Sequence, residues 1–227
     1  MVYGYPSDSG SARFASPLGL RPPARAIWAI AIAAWMSAVL GGFFWLSSYK
    51  ATVGARLAAP VGWPASTTVG REPGRPTLVM FAHPHCPCTR ASVSELARLA
   101  AGHPELSTRV LFLKPEDVPD GWERTGLWRT VAGIPGAVPL RDDRGREAAR
   151  FGAVTSGFTI LYDADGKLLF SGGITASRGH EGDSFGRRRI ASLLRTGSAD
   201  RRDAPVFGCA LPAPATPDRQ GGRHDGL

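Results

Sequence analysis

The chain has 227 residues, 43% of them hydrophobic and 20% charged, with Gly and Pro together making up about a fifth; this allows one domain of ordinary size plus looser appendages. Three cysteines are too few for a disulfide-built mini-protein, so they are read as chemistry rather than architecture. The net charge of +8 is spread thinly along the sequence, and only Arg187, Arg188 and Arg189 cluster, as a solvated helix face, which argues against a nucleic-acid module with its cations gathered on one surface.

Residues 1–25 carry Arg13, Arg21 and Arg25 against a single acid, Asp8. From Ala26 to Leu46 the sequence AIWAIAIAAWMSAVLGGFFWL has no charge and one hydroxyl, Ser37. At about 1.5 Å per residue such a helix crosses one hydrocarbon core of about 30 Å. Trp28 and Trp45 lie near its ends, where indole favours the headgroup boundary. The run is longer than a signal-peptide core and no A-x-A site follows at once, so an uncleaved signal anchor is expected. By a narrow margin the flanking cations place the N-terminus in the cytoplasm and the remainder outside, on the inner (cytoplasmic) membrane with a single pass through the lipid bilayer.

Residues 47–76, with Pro60, Pro64, Pro73 and Pro76, show no helical or strand period and read as a tether. The folded unit is expected over 77–197. Thr77–Ala82 is a short apolar run suited to a buried strand, and Thr89–Ala101 carries Val93, Leu96, Leu99 and Ala100 at helical spacing. Arg109–Leu113 is a second buried strand, 122–131 a helix, Ala137–Leu140 a third strand and Arg146–Phe151 a short helix. Phe158–Tyr162 and Lys167–Ser171 flank Asp163-Ala-Asp-Gly166 as an antiparallel hairpin. A closing helix runs from about Ser184 to Leu194, with Asp183 a candidate N-cap. Residues 198–227 read as an irregular tail with one apolar island, Val206–Leu211. Strands alternating with helices predict an α/β fold with a mixed sheet covered on both faces, preceded by one transmembrane helix.

The chemistry-bearing segment is His83-Pro84-His85-Cys86-Pro87-Cys88-Thr89-Arg90, between the first strand and first helix. A helix N-terminus stabilises thiolate over thiol, and His83 and His85 offer donors or cations beside it. His180, in the loop before the last helix, is a candidate to hydrogen-bond a cysteine, move its proton or bind metal. Cys209, in the tail's apolar island, either docks near the other two cysteines and exchanges with them or stands as a free thiol. His103 and His224 have no cluster around them and read as surface residues.

Over about residues 77–195 these features resemble the thioredoxin superfamily, in particular its membrane-anchored TlpA- and ResA-like branch. The segments HPHCPCTRAS and FSGGITASRGHEG resemble, more narrowly, a bacterial group labelled RedB. The resemblance implies a thioredoxin-like three-layer fold and thiol-disulfide exchange without a cofactor, with protein thiols and disulfides or a membrane redox partner as reactants. Carried over by position, Cys86 is the attacking thiolate and Cys88 the resolving thiol, with His180 assisting and Pro87, Ser156, Gly157 and Phe158 binding substrate. Two departures stand out. The dithiol is Cys-Pro-Cys rather than Cys-x-x-Cys, so a disulfide within it closes a tighter ring, expected to be more oxidising. Thr155-Ser156-Gly157-Phe158 also lacks the family's substrate-pairing proline. The alternative is a copper protein in which Cys86, Cys88 and His180, with His83 or His85, hold Cu(I), as in thioredoxin-like chaperones of the SCO type.

Overall fold

The computed structural model describes residues 23–212. Helix α1 spans Ala24–Ala51 and buries none of its residues. Among the described residues it is the one helix long and apolar enough to cross a membrane, with a mean hydropathy of 1.9 over its best window. It contains the expected span 26–46. Arg13, Arg21 and Asp8, on which the expected orientation rests, lie outside the described residues.

The α/β unit that follows runs β1 (Thr77–Ala82), α2 (Pro87–Gly102), β2 (Ser107–Lys114), α3 (Gly126–Ala132), β3 (Ala137–Asp143), α4 (Arg146–Arg150), β4 (Thr159–Tyr162), β5 (Leu168–Gly172), α5 (Phe185–Thr196) and β6 (Asp203–Ala204). The sheet order is β3-β2-β1-β4-β5-β6. Strands β1, β2 and β3 are parallel, β4 is antiparallel to both β1 and β5, and β6 returns parallel to β5. The central strand β1 is buried at every residue, as expected of a strand covered on both faces.

Alternation along β1 divides the core. Leu78, Met80 and Ala82 pack with Val93, Leu96 and Leu99 of α2 and Ile190 and Leu193 of α5. Val79 and Phe81 face Ala148 and Phe151 of the α4 region, together with Ile160 and Tyr162. The helix on this second face is only five residues long, and the chain makes up the missing cover from two segments expected to be loose.

The first is the tether. Trp63 packs edge-on against Phe151 and Tyr162, with ring centroids 5.4 and 5.2 Å away. Val69 is buried in the same cluster. The Thr67 and Thr68 hydroxyls donate to the Glu147 carboxylate, and Tyr162 donates its hydroxyl to the Pro60 carbonyl at 3.1 Å. Residues 53–76 are therefore a strap on the domain; it also pairs by backbone, Trp63 N–H with the Gly166 carbonyl and Leu168 N–H with the Val61 carbonyl, and its scattered contacts between prolines have no period to detect. The second is the tail, whose residues 203–211 add an edge strand and bury Val206 and Leu211.

Smaller differences have local causes. Helix α3 starts at Gly126 because the Thr125 hydroxyl accepts from the Leu127 N–H and caps it. Helix α5 is capped by Ser184, whose hydroxyl accepts from Arg187 N–H; Asp183 instead pairs with Arg187 and Arg188. The arginine triplet is tied down rather than solvated, since Arg187 meets the buried Glu95 and Arg189 meets Asp200. His103 is buried, with Nδ1 3.0 Å from Glu105; His224 lies outside the described residues. The hairpin turn forms as expected: Asp163 Oδ1 accepts from the N–H groups of Asp165 and Lys167, and Gly166 takes φ +84°.

Candidate functional site

Strand β1 ends at Ala82, and the chain turns through His83-Pro84-His85 into α2. Cys86 is the N-cap of that helix, in extended conformation with no side chain capping it, and Pro87 occupies the first helical position, where a missing N–H costs nothing. Cys86 Sγ thus sits at the positive end of a sixteen-residue helix, which favours a thiolate there when the sulfur is reduced. In the structure that sulfur is oxidised. Cys86 is joined to Cys209, across 123 residues of sequence and with Cα atoms 6.2 Å apart. Cys88, the second residue of the helix, is a buried free thiol. The expected Cys86–Cys88 pairing is therefore not the one observed. Of the two possibilities for Cys209, the docked one holds.

Ser156 joins the two sides of the site. Its Oγ accepts from the His83 N–H at 2.8 Å and lies 2.6 Å from Thr89 Oγ1, while its backbone N–H donates to the Cys209 carbonyl at 2.8 Å. Gly157 is buried at φ +88°, and a Cβ there would come within 2.8 Å of Ser92 Oγ. Its N–H donates to the Phe81 carbonyl. Phe158 turns into the core. Of the expected substrate-binding residues, Ser156 therefore touches the tail rather than open solvent, and Phe158 is structural. Pro87 is exposed beside Cys86.

Cys86, itself only 4% exposed, contributes to the wall of a groove of about 750 Å³ together with His85, Pro87, Arg90, Leu127 and Glu181. His85 stacks near Trp122, with centroids 4.4 Å apart, and its backbone N–H donates to His83 Nδ1 at 3.2 Å. Burial, with the neighbouring His85 adding to it, lowers the His83 pKa. His83 is then a neutral acceptor near neutral pH rather than a cation beside the sulfur.

His180 is exposed in the loop before α5, and no side-chain hydrogen bond of its ring is found among the described residues. What holds this loop is Glu95, a fully buried carboxylate on α2 that accepts from the Gly182 N–H at 2.7 Å, pairs with Arg98, and lies 2.7 Å from Arg187 Nε. An acid among apolar residues at helical spacing gave no sign in sequence of this anchoring role. Among the described residues no group of three His, Cys, Asp or Glu suited to a metal ion is found, and in this state the Cys86 sulfur is committed to Cys209.

A β-α-β-α-β unit of parallel strands, an antiparallel pair behind it and a cysteine at the first strand-to-helix junction decide the architecture. The domain has the thioredoxin-like fold. No family model and no curated protein matches the sequence. Among solved structures, a hypothetical protein from Sinorhizobium meliloti is 22% identical, with 73% of this chain and 96% of that one covered at a TM-score of 0.51. An uncharacterised conserved protein from Geobacillus kaustophilus is 21% identical, with 71% and 92% covered, also at 0.51. A secreted disulfide oxidoreductase of Mycobacterium tuberculosis overlaps more loosely: 18% identity, 54% and 81% covered, TM-score 0.38. The first two likenesses concern the fold alone.

Proposed function

We infer that the protein is a membrane-anchored thiol-disulfide oxidoreductase whose reacting sulfur is Cys86. The observation that carries this reading is the position of that sulfur: N-cap of α2, at the end of the central parallel strand, in a disulfide and bordering an open groove. A helix N-terminus lowers a thiol pKa, and the thiolate is the nucleophile in disulfide exchange. The chain itself supplies the second sulfur that closes the disulfide: Cys88 by the Cys-Pro-Cys reading of the sequence, Cys209 in the oxidised structure. No cofactor is required, since two thiols carry the two electrons.

The reactants are protein thiols and disulfides, or a redox partner in the same membrane. Helix α1 supplies the anchor, and the charge balance around it favours a domain outside the cytoplasm, where disulfides persist. The TlpA- and ResA-like character and the narrower RedB resemblance are part of this proposal and rest on the segments quoted above.

The test is a redox titration of the full-length protein in detergent micelles, equilibrated in glutathione buffers, acid-quenched, alkylated and weighed. The expected result is one reversible two-electron transition that consumes the Cys86 thiol and disappears in Cys86→Ser. A Cys86 that stays in one state across the whole buffer range overturns the reading.

A further inference from the structure

The tail that brings Cys209 to Cys86 is fastened by contacts that involve no sulfur. The Val206 carbonyl accepts from the Gly54 N–H at 2.7 Å, the Cys209 carbonyl from the Ser156 N–H at 2.8 Å, and the Leu211 N–H donates to the Val154 carbonyl at 2.9 Å. Arg178 Nη1 donates to the Gly208 carbonyl at 2.6 Å. Thr155 and Ala210 form an antiparallel bridge, and Val206 and Leu211 bury their side chains on either side of the cysteine. At Gly208 the approach is so close that a Cβ would lie 1.9 Å from the Ser156 carbonyl oxygen. Nothing in this set depends on the disulfide, so an open Cys209 thiol stays beside Cys86. Cys88 is placed differently: it is buried within the first turn of α2 and remains a thiol while Cys86 is oxidised.

We propose that Cys209, on its docked strap, is the resolving cysteine of the exchange reaction; the proposal rests on Cys86 being the reacting sulfur. In the reducing direction the Cys86 thiolate attacks a partner disulfide R–S–S–R′, forms Cys86–S–S–R and expels R′–S⁻, which takes a proton from solvent. Cys209 gives its proton to solvent and its thiolate attacks Cys86 Sγ. The Cys86–Cys209 bond forms, the bond to R breaks, and R–S⁻ leaves to be protonated. Two electrons pass from the two chain thiols to the partner; the reverse sequence oxidises a partner dithiol. A thiol held in place reacts as an intramolecular group, which is the source of its advantage over any thiol in solution. The same strap covers Ser156 and Gly157, so a partner reaches Cys86 from the groove beside His85, Arg90 and Glu181.

The full-length protein in detergent micelles is reduced, mixed with glutathione disulfide near neutral pH, quenched with acid at intervals, alkylated and mapped by mass spectrometry. Wild type is expected to pass briefly through glutathione on Cys86 to the Cys86–Cys209 disulfide. In Cys209→Ser the glutathione adduct on Cys86 accumulates and its release slows by about 100-fold or more, while Cys88→Ser stays within about twofold of wild type on the same argument. Gly208→Val keeps all three thiols but forbids the close approach, and slows resolution by roughly tenfold or more. Accumulation in Cys88→Ser with wild-type release in Cys209→Ser overturns the proposal, as does wild-type release in both. A failure of the exchange reading itself looks different: wild type then takes up no glutathione on Cys86 at all.

Discussion

The two segments that complete the domain make an instructive pair. Residues 53–76 and 203–211 both lie over the β4 side of the sheet, both are rich in Pro and Gly, and each replaces cover that the five-residue helix α4 cannot supply. The first works through bulk: Trp63 against two aromatic rings, Val69 in the core, and hydroxyls on Glu147. The second works through backbone pairing and ends in a covalent bond to the candidate active site. One strap is therefore expected to govern stability alone, and the other both stability and chemistry.

Reduction should separate them most sharply. The Cys86–Cys209 bond closes a loop of 123 residues, and releasing a loop of that size lowers unfolding free energy by about 4 kcal/mol or more. Denaturant titrations with and without reductant should show that loss in wild type and none in Cys209→Ser. Trp63→Ala comes next, at about 3 kcal/mol because the ring is only partly buried. Its exchange with glutathione disulfide should keep the wild-type rate, and a slowed rate would join the two straps in one function.

Acid titration should register on the first strap. Asp142, buried under α4, accepts from the N–H groups of Glu147 and Ala148, yet burial raises its pKa from 3.8 to about 6. The folded state keeps a proton that the unfolded chain has released between about pH 4 and 6, so this group's stabilisation is present below that window and is lost as pH rises through it. Glu147 acts oppositely. Burial opposes its charge, but hydrogen bonds from Thr67 and Thr68 and the nearby Arg150 leave its pKa lowered, so its contribution is lost as pH falls below the usual carboxylate range. Asp142→Asn should remove a decline of about 2 kcal/mol between pH 4 and 6.5, measured by denaturant unfolding at each pH. The smallest effect on stability belongs to neither strap: Thr125→Ala removes the cap of α3 and should cost about 1 kcal/mol in denaturant unfolding.

The same contrast explains what the sequence discloses. Continuous apolar runs announce β1 and β2, a 3.6-residue period announces α2, and Asp163-Ala-Asp-Gly166 announces the hairpin, because each is a local pattern. Trp63 and Val69 are isolated apolar residues whose partners lie far along the chain, so the first strap has no readable pattern; the second shows only as the apolar island Val206–Leu211, for which docking is one of two open alternatives. Cys86 at a helix start was legible from its strand and proline neighbours; its pairing with Cys209 was not, because Cys88 stands two residues away and 123 separate the actual partners. Ser156, expected to bind substrate, instead holds the chain's own tail.

The sheet's margins carry one more consequence. At one side β3 includes Pro139, which has no N–H to offer a neighbour; at the other, β6 is only two residues long and shields β5. Both are ways of denying a foreign strand a template. The β5 margin is guarded by the same segment that carries Cys209, and because backbone pairing and the buried Val206 and Leu211 hold that segment, the guard against self-association is expected to outlast the opening of the disulfide.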